Sequence, residues 1–400
     1  MATSNPVNLI LPPRLLPDFS ELPWEYPLND WSKYCQYLVE VSRGLSRHPV
    51  EFVNLNGVIY AIKEMQPGLA EIEYNHLLAL EKMRLPSVKA VGHAVSNPFS
   101  GERSILITRY LDQSLPYRSL FMSRSLSGYR DHLLDAMAGL LVQLHLSGVY
   151  WGDCSLSNTL FRRDAGALQA YLVDAETVER NPGQLAPTLR HHDLQIMEEN
   201  VAGDLGDLSA QNLLMDGIPL DDTSASIRIR YQNLWEEITR QIFVTPDEKY
   251  RIHERIQAIN SLGFSIGEVL LEPGESGDKL SFQVVVTDRS FHRDQLLGLT
   301  GIEAEEMQAR TMMNEIQELK ATLSHTHNRS TPLSLAAYNW LHDFYLPTLT
   351  RLQPLIDRAG DSAELYCQVL VHKWYLSEAA QHDVGHQAAV EDYMQTINPS

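Results

Sequence analysis

WGDCSLSNTLFRRDAGALQAYLVDAE, residues 151–176, reads as a short polar loop, a strand, a tight turn at Asp164–Gly166 and a second strand ending in Asp174. Asp153 and Asn158 stand 5 positions apart in the loop, and Asp174 follows Asn158 by 16. That interval fits strand, turn and strand, so the chain returns to where it left and three oxygen-bearing side chains meet at the base of a hairpin. Immediately upstream, Leu133, Leu134, Met137, Leu140, Leu141 and Leu144 recur at i, i+3, i+4 and i+7. Their stripe predicts a helix packed on a core, with Gly148 as its C-terminal stop.

Further toward the N-terminus the pattern is that of strands. YLVEVS (37–42), VEFVNL (50–55) and VIYAIKEM (58–65) are separated by RGLSRHP and by Asn56-Gly57. An Asn-Gly pair between apolar runs is a strong hairpin signal, because both residues tolerate positive φ. Leu77, Leu78, Leu80 and Met83 then predict a helix over 69–85, with Glu71 and Glu73 in its first turn, where the dipole favours carboxylates. VKAVGHAV (88–95) and SILITRYL (104–111) form a further strand pair around SNPFSGER, completing a small five-stranded sheet with one helix.

Toward the C-terminus, residues 190–214 and 227–262 have helical periodicity, 269–288 reads as a hairpin, and 295–323 and 333–396 are again helical. SHTHNRSTP (324–332) is the best linker candidate. The expected division is an N-terminal extension at 1–34, a small antiparallel-sheet lobe at 35–111 and a mainly helical lobe at 112–222. An α+β accessory domain at 223–326 and a helical segment at 327–400 packing on it complete the chain.

The chain has 400 residues, 44% hydrophobic and 21% charged, which suits a globular protein with a sizeable core. Three scattered cysteines, Cys35, Cys154 and Cys367, make neither a disulfide framework nor a zinc site, and a reducing compartment fits them. The N-terminus lacks a basic stretch, its apolar run Val7–Leu11 stops at Pro12 and Pro13, and no run is long enough to span a membrane. A cytoplasmic location is therefore expected. The net charge of −19 is uneven, with 16 Lys+Arg against 19 Asp+Glu in residues 1–180 and 16 against 32 in residues 181–400. Such a field repels a phosphate backbone and argues against nucleic acid as a partner.

Lys63 in a strand, Glu73 in the next helix, Asp153 and Asn158 in a loop after a long helix, and Asp174 at a strand end occur in an order that suits phosphoryl transfer from ATP. The charge-rich transition state needs a cation on the phosphates and metal ions held by hard oxygens. Lys63 would touch the phosphates, steered by an ion pair with Glu73. Asp153 would orient or deprotonate an acceptor hydroxyl, and Asn158 and Asp174 would bind Mg²⁺. Taken singly, each residue has an ordinary explanation as a solvated lysine, a cap or a turn former. Order and spacing carry the reading.

These segments resemble the protein-kinase-like superfamily from about Tyr37 to Asp207. YAIK resembles its VAIK motif, WGDCSLSN its catalytic loop, and VDAE stands where DFG would be. LLALEKMRLPSVKAVGHAV and ITRYLDQSLPYRSLF are most similar to the Kdo/WaaP-type lipopolysaccharide kinase-like bacterial proteins. RYQNLWEEITRQ, LTGIEAEEMQAR and VLVHKWYLSEAA resemble the C-terminal domain of unknown function that accompanies such kinase-like halves. The resemblance implies an α+β, bilobal kinase-like fold followed by a largely helical accessory domain, with ATP and Mg²⁺ as cofactors and Tyr110 in the nucleotide-binding hinge. It implies transfer of the γ-phosphate to a hydroxyl of a protein side chain, a sugar or another small molecule.

Two departures keep rivals open. The connection RGLSRHP has Gly44 but no GxGxxG, and no APE follows VDAE. The first rival is a pseudokinase scaffold that binds a partner protein through its acidic C-terminal half, and the second transfers an adenylyl group instead of phosphate. The C-terminal half could also supply a homo-oligomeric interface. Among other residues, Asp193 is placed to anchor the catalytic loop, while His191 and His192 point apart on a helix and suit no shared metal. Glu71 competes with Glu73, whose +4 and +7 positions, Leu77 and Leu80, favour it as the Lys63 partner. His325 and His327 read as linker residues, Cys154 as packing, and Tyr338, Trp340, Trp374 and Tyr375 as core.

Overall fold

The computed structural model describes residues 7–11, 17–41, 48–96, 101–122, 129–214, 220–240, 242–244, 249–273 and 280–397. Gly44 with most of its connection, Pro12 and Pro13, and the turn residues 97–100 lie outside the described residues. The chain divides into two compact units, one of Met1–Arg162 and Ala170–Leu234, the other of Arg163–Gln169 and Trp235–Ser400.

The first unit begins with β1 (Val7–Ile10), β2 (Val50–Leu55), β3 (Val58–Met65), α1 (Leu69–Lys82), β4 (Ala90–Ser96) and β5 (Arg103–Arg109). The strands form one antiparallel sheet in the order β1-β4-β5-β3-β2. Asn56 and Gly57 both have positive φ, 55° and 82°, as the expected turn between β2 and β3 requires. Among the described residues of the expected strand Tyr37–Ser42, Leu38 makes only an isolated bridge to Val53, and the fifth strand of the sheet comes from elsewhere. Val7–Ile10 takes that role by pairing with β4. Its partner lies far along the chain, so local periodicity gives no sign of the pairing.

The segment expected to be an extension is built into the sheet's core. Phe19, Leu22, Trp24, Leu28 and Trp31 are buried with Val53, Ile62, Ala94 and Ile107. Both indole N–H groups find acceptors, Trp24 Nε1 on Phe19 O at 2.8 Å and Trp31 Nε1 on Tyr26 O at 3.1 Å. Burial of the rings thus leaves neither donor unpaired.

The unit continues through β6 (Leu115–Pro116), α2 (Tyr117–Met122), α3 (Arg130–Leu146), β7 (Val149–Tyr150), β8 (Thr159–Asp164), β9 (Ala167–Leu172), β10 (Glu179–Arg180), α4 (Pro187–Ala210) and α5 (Leu220–Thr239), whose last turns belong to the second unit. The leucine stripe of α3 is buried, as its spacing predicts. Gly148 ends this helix region with φ 74°, and a Cβ there would come within 2.2 Å of Asn181 O and Gly183 O. Only glycine lets the chain turn so closely past that loop into residues 151–158.

The second unit holds β11 (Ile242–Val244), α6 (Lys249–Ser261), β12 (Ser265–Pro273), β13 (Leu280–Asp288), α7 (Phe291–Thr300), α8 (Glu306–Thr326) and α9 (Leu333–Trp340). A π-helical turn over Leu341–Tyr345, α10 (Leu346–Ala359), α11 (Ser362–Ala380) and α12 (His386–Ile397) follow. The expected hairpin over 269–288 is present as β12 and β13, with β11 added on the far side of β13. The core gathers Leu296, Met312, Ile316, Trp340, Tyr366 and Cys367. The expected linker is short, because α8 runs through Thr326 and Ser324 Oγ accepts from Thr331 N at 2.9 Å.

Of the four aromatics expected in the core, Trp340 alone is buried. Tyr338, Trp374 and Tyr375 are 60%, 59% and 59% exposed. Helical spacing shows that residues share a face, but not how far along the helix that face is covered. Among the described residues no helix is long and apolar enough to cross a membrane.

Candidate active site

Lys63 projects from β3 and Glu73 from α1, and their side chains meet with Nζ 2.9 Å from Glu73 Oε2. Asp174 Oδ2 approaches the same nitrogen at 2.8 Å. Glu73 is fully buried and is the partner of Lys63, whereas Glu71 is exposed. Burial pulls the Lys63 ammonium down, but the charges of Glu73 and Asp174 more than offset this and hold it above the ordinary lysine value. Burial first, and the charge of Asp174 second, push Glu73 above the usual carboxylate range. Two carboxylates around one ammonium leave an excess of negative charge.

The segment from Asp174 onward is pinned by three side chains, two of them on α1. Ala175 N donates to Glu73 Oε1 at 3.3 Å, His76 Nδ1 lies 2.7 Å from Ala175 O, and Trp151 Nε1 donates to Asp174 O at 3.2 Å. The hairpin base closes as its spacing predicts, with Val173 N donating to Asn158 O at 3.1 Å. Asn158 Nδ2 donates to Asp153 Oδ2 and to Asp153 O, both at 3.0 Å. Its nitrogen is thus committed to Asp153, and Oδ1 is the amide atom suited to a cation.

Tyr110 is held by other neighbours. Its N–H donates to Ile59 O at 3.0 Å, and its ring meets Phe52 edge-on with centroids 5.6 Å apart. A nucleotide base would therefore have to use some other atom of Tyr110 than its amide nitrogen.

Asp193 holds the start of the 151–158 loop from α4. Its Oδ2 accepts from Trp151 N and its Oδ1 from Gly152 N, both at 2.9 Å, and His145 Nε2 lies 3.0 Å from Oδ2. His145 Nδ1 is 2.8 Å from Tyr231 Oη. A neutral imidazole that donates to Asp193 and accepts from Tyr231 satisfies the whole set, and burial holds His145 below the ordinary histidine value. Asp193→Ala is expected to cost about 3 kcal/mol or more in urea denaturation, since it strands two backbone donors and an imidazole in the core. A cost below about 1 kcal/mol would contradict that anchoring role.

Two further α4 residues face the loop and carry no motif in the sequence. Asn200 Nδ2 donates to Asp153 Oδ1 at 3.0 Å and to Cys154 O at 3.2 Å, and Asp204 Oδ2 accepts from Ser157 N at 3.0 Å. Their i, i+4 spacing is the one available signal, and it looks like any solvated helix face. His192 pairs instead with Tyr150, Oη to Nδ1 2.8 Å, while His191 faces Arg228. Cys154 is fully buried and its thiol is raised well above the ordinary value by burial, which makes it a packing residue and not a nucleophile. His325 and His327 are exposed.

A partly buried lysine, its carboxylate partners and an aspartate–asparagine loop now sit in a single unit, on a small sheet and the helices after it. Residues 58–214 match the lipopolysaccharide kinase (Kdo/WaaP) family. Residues 233–398 match a domain of unknown function, DUF4032. Among solved structures, "WaaP in complex with acyl carrier protein" is 14% identical, at a TM-score of 0.35, with 64% of this chain and 98% of that chain covered. An aminoglycoside-3'-phosphotransferase of type VIII is 16% identical, at a TM-score of 0.34, with 55% and 92% covered. No curated protein matches the chain. The Kdo/WaaP-matched segment contains Lys63, Glu73, Tyr110, Asp153, Asn158 and Asp174, together with Asp193, Asn200 and Asp204. The match supports a kinase-like phosphotransferase, with β3, α1, β4 and β5 in the first part of the matched segment and the helices after β5 in the rest.

Proposed function

We propose that this protein is an ATP- and Mg²⁺-dependent phosphotransferase that moves the γ-phosphoryl group of ATP to a hydroxyl acceptor. The observation that carries it is the joint placement of Lys63 Nζ, 2.9 Å from Glu73 and 2.8 Å from Asp174, beside a hairpin base that presents Asn158. The donor set fits a nucleotide-bound Mg²⁺, which is held through one or two protein oxygens with phosphate and water completing its shell. Asp174 and the Asn158 amide oxygen would hold it, and the excess negative charge around Lys63 favours a cation there. Bound Mg²⁺ neutralises phosphate charge that develops during transfer. Among the described residues there is no cluster of three or more His, Cys, Asp or Glu of the kind a free-standing metal centre uses.

Lys63 stays charged between two carboxylates and is suited to the α- and β-phosphates. Asp153, held by the amides of Asn158 and Asn200, has its carboxylate oriented to accept the proton of an incoming hydroxyl. On this reading the kinase-like lobes are residues 35–111, to whose sheet and core the segment before residue 35 adds β1 and Phe19–Trp31, and 112–222, and 223–326 with 327–400 are the accessory part. ATP as donor and three unpaired cysteines suit the cytoplasm.

A pseudokinase scaffold is the second reading, favoured by one observation, the absence of GxGxxG between Tyr37 and Lys63. Mass spectrometry of the product formed with Mg²⁺ and ATP tests the first reading against both rivals. A phosphorylated acceptor or free phosphate is expected. An adenylylated product, or an ATP pool left intact, would contradict it.

A further inference from the structure

The β8–β9 hairpin has its base and its tip in different units: Arg162 and Ala170 belong to the first, and Arg163–Gln169 to the second. At the base stand Asn158 and Asp174, joined through the Val173–Asn158 backbone bond. At the tip, Asp164, 1% exposed, accepts at Oδ1 from Gln308 N at 2.8 Å. Gln308 is the third residue of α8, whose first turn is closed by a capping box with Glu305. A carboxylate from the hairpin thus occupies the positive end of a 21-residue helix.

Other bonds tie the same tip to α8 and α11. Gln308 Nε2 donates to Arg163 O at 3.2 Å and to Glu364 Oε2 at 3.0 Å, and Ala165 N donates to that same Oε2 at 2.9 Å. Glu364 Oε1 accepts from Gln368 Nε2 at 3.1 Å, and Gln368 Oε1 accepts from Tyr393 Oη at 2.6 Å, which extends the chain of bonds to α12. Ala165 has φ 50° and Gly166 φ 84°. The turn therefore places an alanine in the left-handed region, where a side chain is disfavoured and needs outside support.

A loop that merely filled a hole would bury apolar atoms. This one buries a carboxylate and backbone groups, which are costly inside a protein unless every partner is in place. Burial first, and the Glu305 charge second, push Asp164 up to about 7, while the donors at Gln308 and Met307 pull the other way. Asparagine, neutral and with the same Oδ1 acceptor, is accordingly the conservative replacement.

We propose that Asp164 is a positioning residue: by seating the hairpin tip on α8 it fixes the hairpin base, so that the C-terminal domain of unknown function sets the geometry of Asn158 and Asp174. The last step rests on the reading of those two residues as the nucleotide–metal pair. The Asp164–Gln308 and Ala165–Glu364 bonds would then transmit to the base whatever disturbs the start of α8 or α11.

The test is hydrogen–deuterium exchange of the full chain, wild type against Asp164→Ala, Asp164→Asn and Gln308→Ala, with the Mg²⁺ dependence of turnover measured on the same proteins. Asp164→Ala should speed exchange about tenfold over residues 155–158 and 172–176 and raise the Mg²⁺ concentration for half-maximal turnover by about tenfold, with the KM for ATP little changed. Asp164→Asn should behave as wild type, and Gln308→Ala should move both readouts in the same direction by less. If Asp164→Ala does not fold, Gln308→Ala decides alone. Faster exchange confined to 163–169, with the base unchanged, would overturn the proposal. So would an unchanged Mg²⁺ requirement in an active protein. If the wild type turns over no ATP, the phosphotransferase reading fails by itself, and exchange at the hairpin base still decides the coupling.

Discussion

Asp174→Ala is expected to abolish Mg²⁺-dependent turnover of ATP and to leave the protein folded. The side chain is a quarter exposed, so truncation opens no cavity in the core. Lys63 keeps its 2.9 Å contact with Glu73, and its charge remains compensated. Glu73 loses a repulsive neighbour and moves back toward the ordinary carboxylate range, since the charge of Asp174 is the second cause of its elevation. What the variant lacks is the carboxylate suited to Mg²⁺ at the base of the hairpin, and the remaining amide of Asn158 is a poor substitute for a formal negative charge. Turnover at background with a thermal midpoint near that of the wild type is the expected pair of results. Retained turnover would remove Asp174 from the site.

Asp153→Asn is expected to lower kcat by on the order of 10² to 10⁴ with the KM for ATP nearly unchanged, if this carboxylate takes the acceptor's proton. Its surroundings sharpen the expectation. Both oxygens of Asp153 accept from amide nitrogens, Oδ1 from Asn200 and Oδ2 from Asn158, each at 3.0 Å. An asparagine at 153 offers one oxygen and one nitrogen, so one of those neighbours faces a donor in place of an acceptor. Both the base and its orientation are affected, while Lys63, Glu73 and Asp174 stay as they are. Steady-state kinetics at saturating acceptor measures this, and an unchanged kcat would exclude Asp153 as the base.

The parts of this site that local sequence spells out are those joined by short stretches of chain. Asp153 and Asn158 share one loop, and strand, tight turn and strand return the chain to Asp174. Lys63 and Glu73 are a strand end and the helix that follows it, so order alone suggests that they meet. The parts that stayed hidden depend on distant chain. β1 completes the sheet by pairing with Ala90–Ser96, and no pattern within Val7–Ile10 names that partner. Trp24 and Trp31 are apolar residues among prolines and short turns, a context that reads as an extension until the sheet is there to cover them.

Asn200 and Asp204 are polar positions on a long helix and look solvated until the loop of Asp153 and Ser157 is seen against them. Asp164 is an ordinary turn residue by sequence, and its burial at the start of α8 follows from tertiary pairing that propensity does not encode. Tyr338, Trp374 and Tyr375 fail in the opposite sense. Their spacing is that of a buried stripe, yet they lie beyond what their neighbouring helices cover.

The most direct test of the central claim is turnover of γ-labelled ATP by the wild-type protein with and without Mg²⁺, with nucleotide binding followed by thermal shift in the same buffers. The account predicts a nucleotide-dependent rise in the melting temperature and release or transfer of label only when Mg²⁺ is present. Neither binding nor turnover would contradict it and return the kinase-like segment to the scaffold reading.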